Sequence, residues 1–156
     1  MSDERGALLY DVVRHVRPLL LNSARVVEAS LRPHGLTLGM RAVLEVLRDD
    51  GASTVPAVAK RLDLPRQGVQ RHVNDLSALG YVESRPNPAH RRSVLIDLTP
   101  AGSEVIDRVT NAELRQLGTL ALDCVDDDIR TAVRVLGSLS RDVRHRAAEL
   151  SGRSAR

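Results

Sequence analysis

Apolar residues recur at helical spacing through the first fifth of the chain. The positions are Leu8, Leu9, Val12, Val13, Val16, Leu19, Leu20, Val26, Val27 and Leu31. They predict a helix over residues 7–31 with a wide apolar face. Because proline removes a backbone hydrogen bond, Pro18 should kink this helix or split it in two. A face this wide predicts burial against a second subunit, with ordinary core packing as the alternative.

Three shorter helices are predicted next. They cover residues 38–49, 55–62 and 66–79. Thr37 and Thr54 are suitable side-chain caps for the first two. Pro56 lies in a first turn, where its missing N–H has no cost. Asp63-Leu64-Pro65 predicts a tight turn before the third helix, which Gly80 ends.

The period of the apolar pattern then changes from that of a helix to that of a strand. Residues 81–85 and 93–98 predict two strands, joined by a loop over 86–92 that contains two prolines. Two short helices, a tight turn and a hairpin make a winged helix-turn-helix. The fold class is therefore mainly α with a small β-hairpin wing.

Two further helices follow the hairpin. Thr99 as cap and Pro100 at the first position begin one that is predicted to reach about residue 121. Asp126 is predicted to cap the last helix, since acids complement the positive end of the helix dipole. Residues 151–156 are predicted to be disordered.

The helix over 66–79 has a polar face suited to DNA. Its exposed side chains should be Arg66, Gln67, Gln70, Arg71 and Asn74, while Pro65 precedes the helix and Gly68 allows a close backbone approach. Arginine and glutamine match guanine and adenine edges in the major groove, and a helix N-terminus favours phosphate. We therefore predict a DNA-reading helix, with an ordinary solvated face as the alternative.

The hairpin supplies a second candidate contact. Arg91 and Arg92 lie at the far end of its loop, and an arginine on a narrow projecting loop can enter the minor groove. Arg85 and His90 are further candidate DNA contacts. A histidine here would also make DNA binding sensitive to pH.

The charge distribution agrees with these assignments. Residues 60–92 contain seven basic and three acidic side chains, an excess of four, whereas the whole chain carries a net charge of only +3. A local basic excess on a near-neutral body is typical of a nucleic-acid-binding face.

The sequence resembles MarR-type regulators over about residues 8–147. The resemblance is strongest from Gly80-Tyr81-Val82-Glu83-Ser84-Arg85-Pro86 to Leu98-Thr99-Pro100-Ala101-Gly102, and includes Pro33-His34-Gly35-Leu36-Thr37 and residues 64–79. It implies a homodimer held by helical regions 1–35 and 100–150, with residues 36–99 as the winged DNA-binding region. By position, Arg92 matches the wing arginine that reaches the minor groove. Two positions depart from the family pattern: His90 replaces the usual acid before that arginine, and Pro65 replaces the usual Ser or Thr.

The same resemblance implies binding to double-stranded DNA at a pseudo-palindromic operator, with half-sites about 10 base pairs apart. It also implies repression, less often activation, relieved by a small molecule or an oxidant. The effector pocket would involve His15, Met40 and Arg41, and an organic anion or a phenolic compound is the expected ligand. A sensing role for Cys124 is less favoured, because cysteine sensors of this type lie early in the first helix.

Other classes of function fit the residues less well. A winged module for protein–protein interaction would have a neutral or acidic helix over 66–79. A non-specific architectural protein would carry its basic charge more broadly. The sequence has no nucleophile–base pair, phosphate loop or metal-ligand spacing, so neither an enzyme, a metal nor another cofactor is predicted. The acidic N-terminal segment and the lack of a long apolar run predict a cytoplasmic protein that does not enter a membrane.

Overall fold

A computed structural model describes residues 2–90 and 92–153. Its helices are α1 (Ser2–Leu31), α2 (Leu38–Asp50), α3 (Val55–Leu62), α4 (Arg66–Ala78), α5 (Pro100–Leu117) and α6 (Asp126–Arg153). A short 3₁₀ helix covers Arg32–His34, and strands β1 (Val82–Pro86) and β2 (Val94–Leu98) form an antiparallel hairpin. The predicted class, mainly α with a two-stranded wing, is confirmed.

The chain divides into two compact units, Met1–Arg115 and Gln116–Arg156. The first contains α1 to α4, the hairpin and nearly all of α5. The second contains α6 and the turns before it. No helix in the described ranges combines the length and apolarity needed to cross a membrane.

The N-terminal helix is longer than the sequence pattern indicated. It begins at Ser2 rather than residue 7 and continues through Pro18 to Leu31, so it is not split in two. Asp3 and Glu4 lie in its first turn, where carboxylates favour a helix. The acidic first turn, rather than the spacing of the apolar residues, is the sequence signal for helix over residues 2–6.

The caps of the short helices are as predicted. Thr37 accepts a hydrogen bond from the Met40 amide at 3.2 Å, and Thr54 accepts one from the Ala57 amide at 3.3 Å. Asp63 adopts the left-handed conformation with φ 56°, which turns the chain sharply between α3 and α4.

Both hairpin strands begin one residue later than predicted; β1 also ends one residue later, whereas β2 ends at Leu98 as predicted. The Tyr81 amide bonds the Leu76 carbonyl at 3.0 Å and so closes the end of α4, which leaves β1 to begin at Val82. The Ser93 amide bonds the His90 carbonyl within the loop. Ser53 adds a bridge to Ile96, with hydrogen bonds of 2.8 and 2.9 Å in both directions. A single bridging residue has no periodicity, so the sequence did not indicate it.

The predicted end of α5 and the predicted cap of α6 were wrong in detail. Helix α5 ends at Leu117 rather than near 121, because a turn begins there in which the Thr119 amide bonds the Gln116 carbonyl. Val125, not Asp126, caps α6: its carbonyl accepts from the Ile129 amide, and the Asp128 carboxylate accepts from the Val125 amide.

The tail prediction also needs correction. Helix α6 continues to Arg153, so residues 151–153 are helical; the remaining residues, 154–156, lie outside the described part of the chain. A lone Gly152 weakens a helix without ending it.

One aliphatic core connects the elements of the first unit. Its fully buried side chains come from α1, α2, α3, α4 and α5, the largest being Leu31, Leu44, Leu47, Leu76 and Ile106. Helix α4 crosses α2 closely, since a methyl group on Gly39 would overlap the His72 ring. The core therefore fixes the orientation of α4, whose outer face is left to solvent.

Gly102 is required by the close approach of α5 to the hairpin. A methyl group at this position would overlap the Tyr81 carbonyl oxygen, a backbone atom that cannot rotate away. We expect Gly102→Ala to lower the free energy of unfolding by about 2 kcal/mol, because the backbones must separate. Thermal unfolding should show a melting temperature lower by about 5 °C.

Gly68→Ala is the control for this prediction. Gly68 also lies in a helix, and nothing is within 4 Å of a methyl group there. The change should stabilise the chain by up to about 1 kcal/mol through helix propensity. Equal melting temperatures for the two variants would contradict the steric explanation.

Candidate nucleic-acid interface

Helix α4 has one buried and one exposed face. Val69, Val73 and Leu76 are buried in the core. The acid Asp75 is exposed, as are all five polar side chains predicted from the sequence: Arg66, Gln67, Gln70, Arg71 and Asn74. Packing of the apolar stripe therefore directs the polar stripe outward.

The N-terminus of α4 is open. Pro65 is its cap residue and provides no side-chain hydrogen bond. The first backbone N–H groups of a helix have no partner within the helix and attract anions. Lys60, Asp63, Pro65 and Arg66 line one recess of about 730 Å³ at this end, so two cations and one carboxylate lie near the first turn of α4.

The hairpin loop is closed by its own hydrogen bonds. The Asn87 side-chain nitrogen donates to Ser93 Oγ at 2.7 Å, and the side-chain oxygen of Asn87, Oδ1, accepts from the Ala89 amide at 3.0 Å. His90 and Arg92 are exposed on this loop. Arg91, the other predicted loop cation, lies outside the described residues.

The structure brings the helix and the hairpin to a common recess. Gln70 of α4 and Arg92 of the hairpin line a cavity of about 460 Å³ together with Thr54 and Ser84. We call this the helix–hairpin recess. The sequence reasoning missed Thr54 and Ser84 as neighbours of the candidate site, because only the folded hairpin brings residues 54, 70, 84 and 92 together.

Arg85 is held by its own hairpin. Its guanidinium pairs with Glu83 at 3.2 Å and with Asp97 on β2. Asp97 is directly opposite Glu83 in the register, so both acids reach the same arginine. A DNA contact by Arg85 would have to compete with these two carboxylates.

Four exposed cations near α4 and the hairpin have no acidic partner in the part of the chain that the structure describes. They are Lys60, Arg66, Arg71 and Arg92. Arg61, by contrast, pairs with Asp50 at 3.6 Å. Unpaired, exposed cations are available to phosphates without the loss of an existing ion pair.

The predicted effector residues have different environments. Met40 is buried in the core, and His15 is exposed on α1. Arg41 is only 13% exposed and pairs with Glu45 at 2.8 Å and with Glu113 on α5. Arg48 bonds Thr110 at 2.9 Å, so two arginines of α2 connect to α5.

The pKa of the Arg41 guanidinium is raised above its ordinary value. Burial alone would lower this pKa, but the hydrogen bonds and charges of Glu113 and Glu45 outweigh it. Arg41 is thus permanently charged and neutralised by carboxylates of its own chain.

Comparison with known proteins identifies this arrangement. A family model described as MarR family matches residues 34–93. A crystallised MarR family transcription regulator is 30% identical, with a TM-score of 0.83 over 94% of this chain and 97% of that one. The chain belongs to the MarR family.

MarR family membership covers nearly the whole chain. An uncharacterised protein of Mycobacterium tuberculosis is 41% identical over 134 residues, 86% of this chain and 90% of that protein. A mutant of Escherichia coli MarR crystallised with operator DNA has the same fold, with a TM-score of 0.70 at 23% identity over 84% of this chain and 94% of that one. This protein is therefore a MarR family transcription regulator, as the sequence resemblance predicted.

The Arg41 cluster gives a testable contribution to stability. Glu113→Ala removes one of the two partners of a charge that is largely buried, and we expect the free energy of unfolding to fall by about 1–3 kcal/mol. Chemical denaturation measures this difference.

Glu104→Ala on the same helix is the matched control. Glu104 pairs with Arg108, but these side chains are 70% and 60% exposed, so the loss should be about 0.5 kcal/mol or less. Similar losses for the two variants would show that Glu113 contributes no more than a surface ion pair.

Proposed function

We propose that this MarR family regulator binds a pseudo-palindromic operator as a homodimer, with α4 in the major groove and the hairpin loop in the minor groove. The observation that carries the proposal is the helix–hairpin recess. It joins Gln70, a base-reading type of side chain, to Arg92, which is exposed and pairs with no acid among the described residues. Major-groove hydrogen bonding by the helix would specify sequence, and the arginine would favour a narrow, electronegative minor groove.

Phosphate contacts would position the protein on the duplex. Lys60 and Arg66 line the separate recess at the open N-terminus of α4, where they would supply charge beside the first backbone N–H groups of the helix. The related E. coli protein was crystallised with operator DNA, which supports DNA as the ligand of this surface.

A second copy of the chain would cover the apolar face of α1. Several of its apolar side chains are exposed in the single chain, among them Leu8, Leu19, Leu20 and Val26. Exposed apolar surface on this scale is typical of an interface. A two-fold symmetric dimer would present two α4 helices to half-sites about 10 base pairs apart.

Control by a small molecule completes the proposal. We assign the protein as an effector-responsive repressor whose ligand is an organic anion or a phenolic compound bound near His15, Met40 and Arg41. Arg41 is the candidate contact for an anion, since it is a largely buried cation, but it already pairs with Glu45 and with Glu113 on α5. An anion there would compete with Glu113 and so loosen this connection.

Arg92→Ala tests the role of the hairpin. Removal of the guanidinium should raise the dissociation constant for a selected operator duplex by about tenfold or more, because the minor-groove contact is lost. Fluorescence anisotropy at fixed salt measures the change.

Arg108→Ala lowers the net charge equally and is the control. Arg108 lies on α5 and pairs with Glu104, so its loss should change affinity less than twofold to threefold. Equal effects of the two variants would reject a specific wing contact.

Leu20→Glu tests the dimer. Leu20 is 66% exposed in the single chain, so a carboxylate there should not disturb the chain's own core. Against a second subunit the charge would be buried without a partner, and size-exclusion chromatography with light scattering should then show monomers.

Leu64→Glu makes the same change at an exposed leucine beside α4 and should leave the dimer intact. A Leu20→Glu protein that remains dimeric would remove α1 from the proposed interface.

A further inference from the structure

Two amide side chains on the exposed face of α4 are joined to each other. Gln70 Nε2 donates a hydrogen bond to Asn74 Oδ1 at 2.9 Å. The two residues are one helical turn apart, the spacing at which side chains of a helix meet. Both are exposed, so the core does not impose this contact.

The bond leaves the Gln70 amide with the groups that recognise adenine. A glutamine amide has two N–H donors and one carbonyl acceptor. One N–H is used by Asn74, which leaves Oε1 and the second N–H. Adenine presents an N6 donor and an N7 acceptor in the major groove, whereas guanine presents two acceptors. The free edge of Gln70 therefore pairs with adenine and would place its carbonyl against guanine O6.

The contact with Asn74 also decides which way the Gln70 amide faces. Without a neighbour, the amide can rotate to exchange its oxygen and nitrogen. In this structure Asn74 Oδ1 accepts from nitrogen, so the nitrogen of Gln70 lies on the Asn74 side. The opposite pairing, from Asn74 Nδ2 to Gln70 Oε1, would leave only N–H groups free and would select guanine instead. The Gln67 side chain has no hydrogen bond to any residue that the structure describes, and its amide is therefore not held in this way.

We infer that Gln70 reads an adenine in each half-site and that Asn74 is a positioning residue that fixes its amide. The inference rests on the proposed DNA-binding function and names the base that this function would select. Gln70 also lines the helix–hairpin recess, which places the adenine on the side of α4 that faces the hairpin.

The test begins with duplexes selected from a random-sequence library by the full-length protein. Each position of the selected half-site is then replaced by the other bases, and dissociation constants are measured for wild type and variants. Wild type should prefer adenine at one position by about tenfold or more. Gln70→Ala should abolish this preference at that position.

The Asn74 variants separate positioning from direct base contact. Asn74→Ala should reduce the preference at the same position, with other positions unchanged, because the Gln70 amide is no longer held. Asn74→Asp keeps the accepting oxygen, so it should retain the preference while the added charge weakens binding to all duplexes alike. Gln67→Ala should leave the preference at this position unchanged.

Two results would overturn the inference while leaving the proposed function intact. One is an unchanged adenine preference in Asn74→Ala. The other is a loss in Asn74→Ala at a different base position from Gln70→Ala, which would make Asn74 an independent base contact. Failure of the wild-type protein to enrich any duplex would overturn the DNA-binding function itself, and this inference with it.

Discussion

The backbone of Tyr81 joins α4, the hairpin and α5. Its amide closes α4 on the Leu76 carbonyl, and its own carbonyl accepts from the Thr99 amide at 3.1 Å. Thr99 Oγ1 donates to the Gly80 carbonyl at 2.6 Å and accepts from the Gly102 amide, so one side chain connects the end of α4 to the start of α5. The Tyr81 hydroxyl donates to the His34 carbonyl at 3.2 Å. A displacement of this junction would move the helix and the hairpin relative to each other.

The proposed DNA-binding surface depends on that fixed geometry. Gln70 and Arg92 are 22 positions apart in the chain yet line one recess, because the hairpin turns back towards α4. Exposure alone does not make a cation available: Arg85 is paired with Glu83 and Asp97, whereas Arg92 is not paired with any described residue. The hairpin thus uses one arginine to hold its strands and leaves another for a partner.

The core and the exposed apolar surface have different roles. The chain has no phenylalanine or tryptophan, and its core consists of aliphatic side chains with Met40. Leu31 of α1 and Ile106 of α5 are fully buried in it, so both helices support the winged region. Val27 of α1 also packs against this core, whereas Leu8, Leu19, Leu20 and Val26 are exposed in the single chain. The exposed apolar side chains of α1 support the proposed second subunit, because they do not pack into the core of their own chain.

The sequence by itself determined the positions of the three short helices, the threonine caps and the buried face of α4. These follow from local rules: periodicity fixes which side of α4 is buried, and Thr37, Thr54 and Thr99 bond amides three residues away. Tertiary structure alone decided the contacts between distant residues, such as the Ser53–Ile96 bridge, the pairing of Arg85 with Asp97 and the attachment of Arg41 to Glu113 on α5. Such contacts depend on how helices and strands pack against one another, and the local sequence pattern does not specify that packing. For the same reason the sequence could name Gln70 and Arg92 as candidates, but only the fold could place them in one recess.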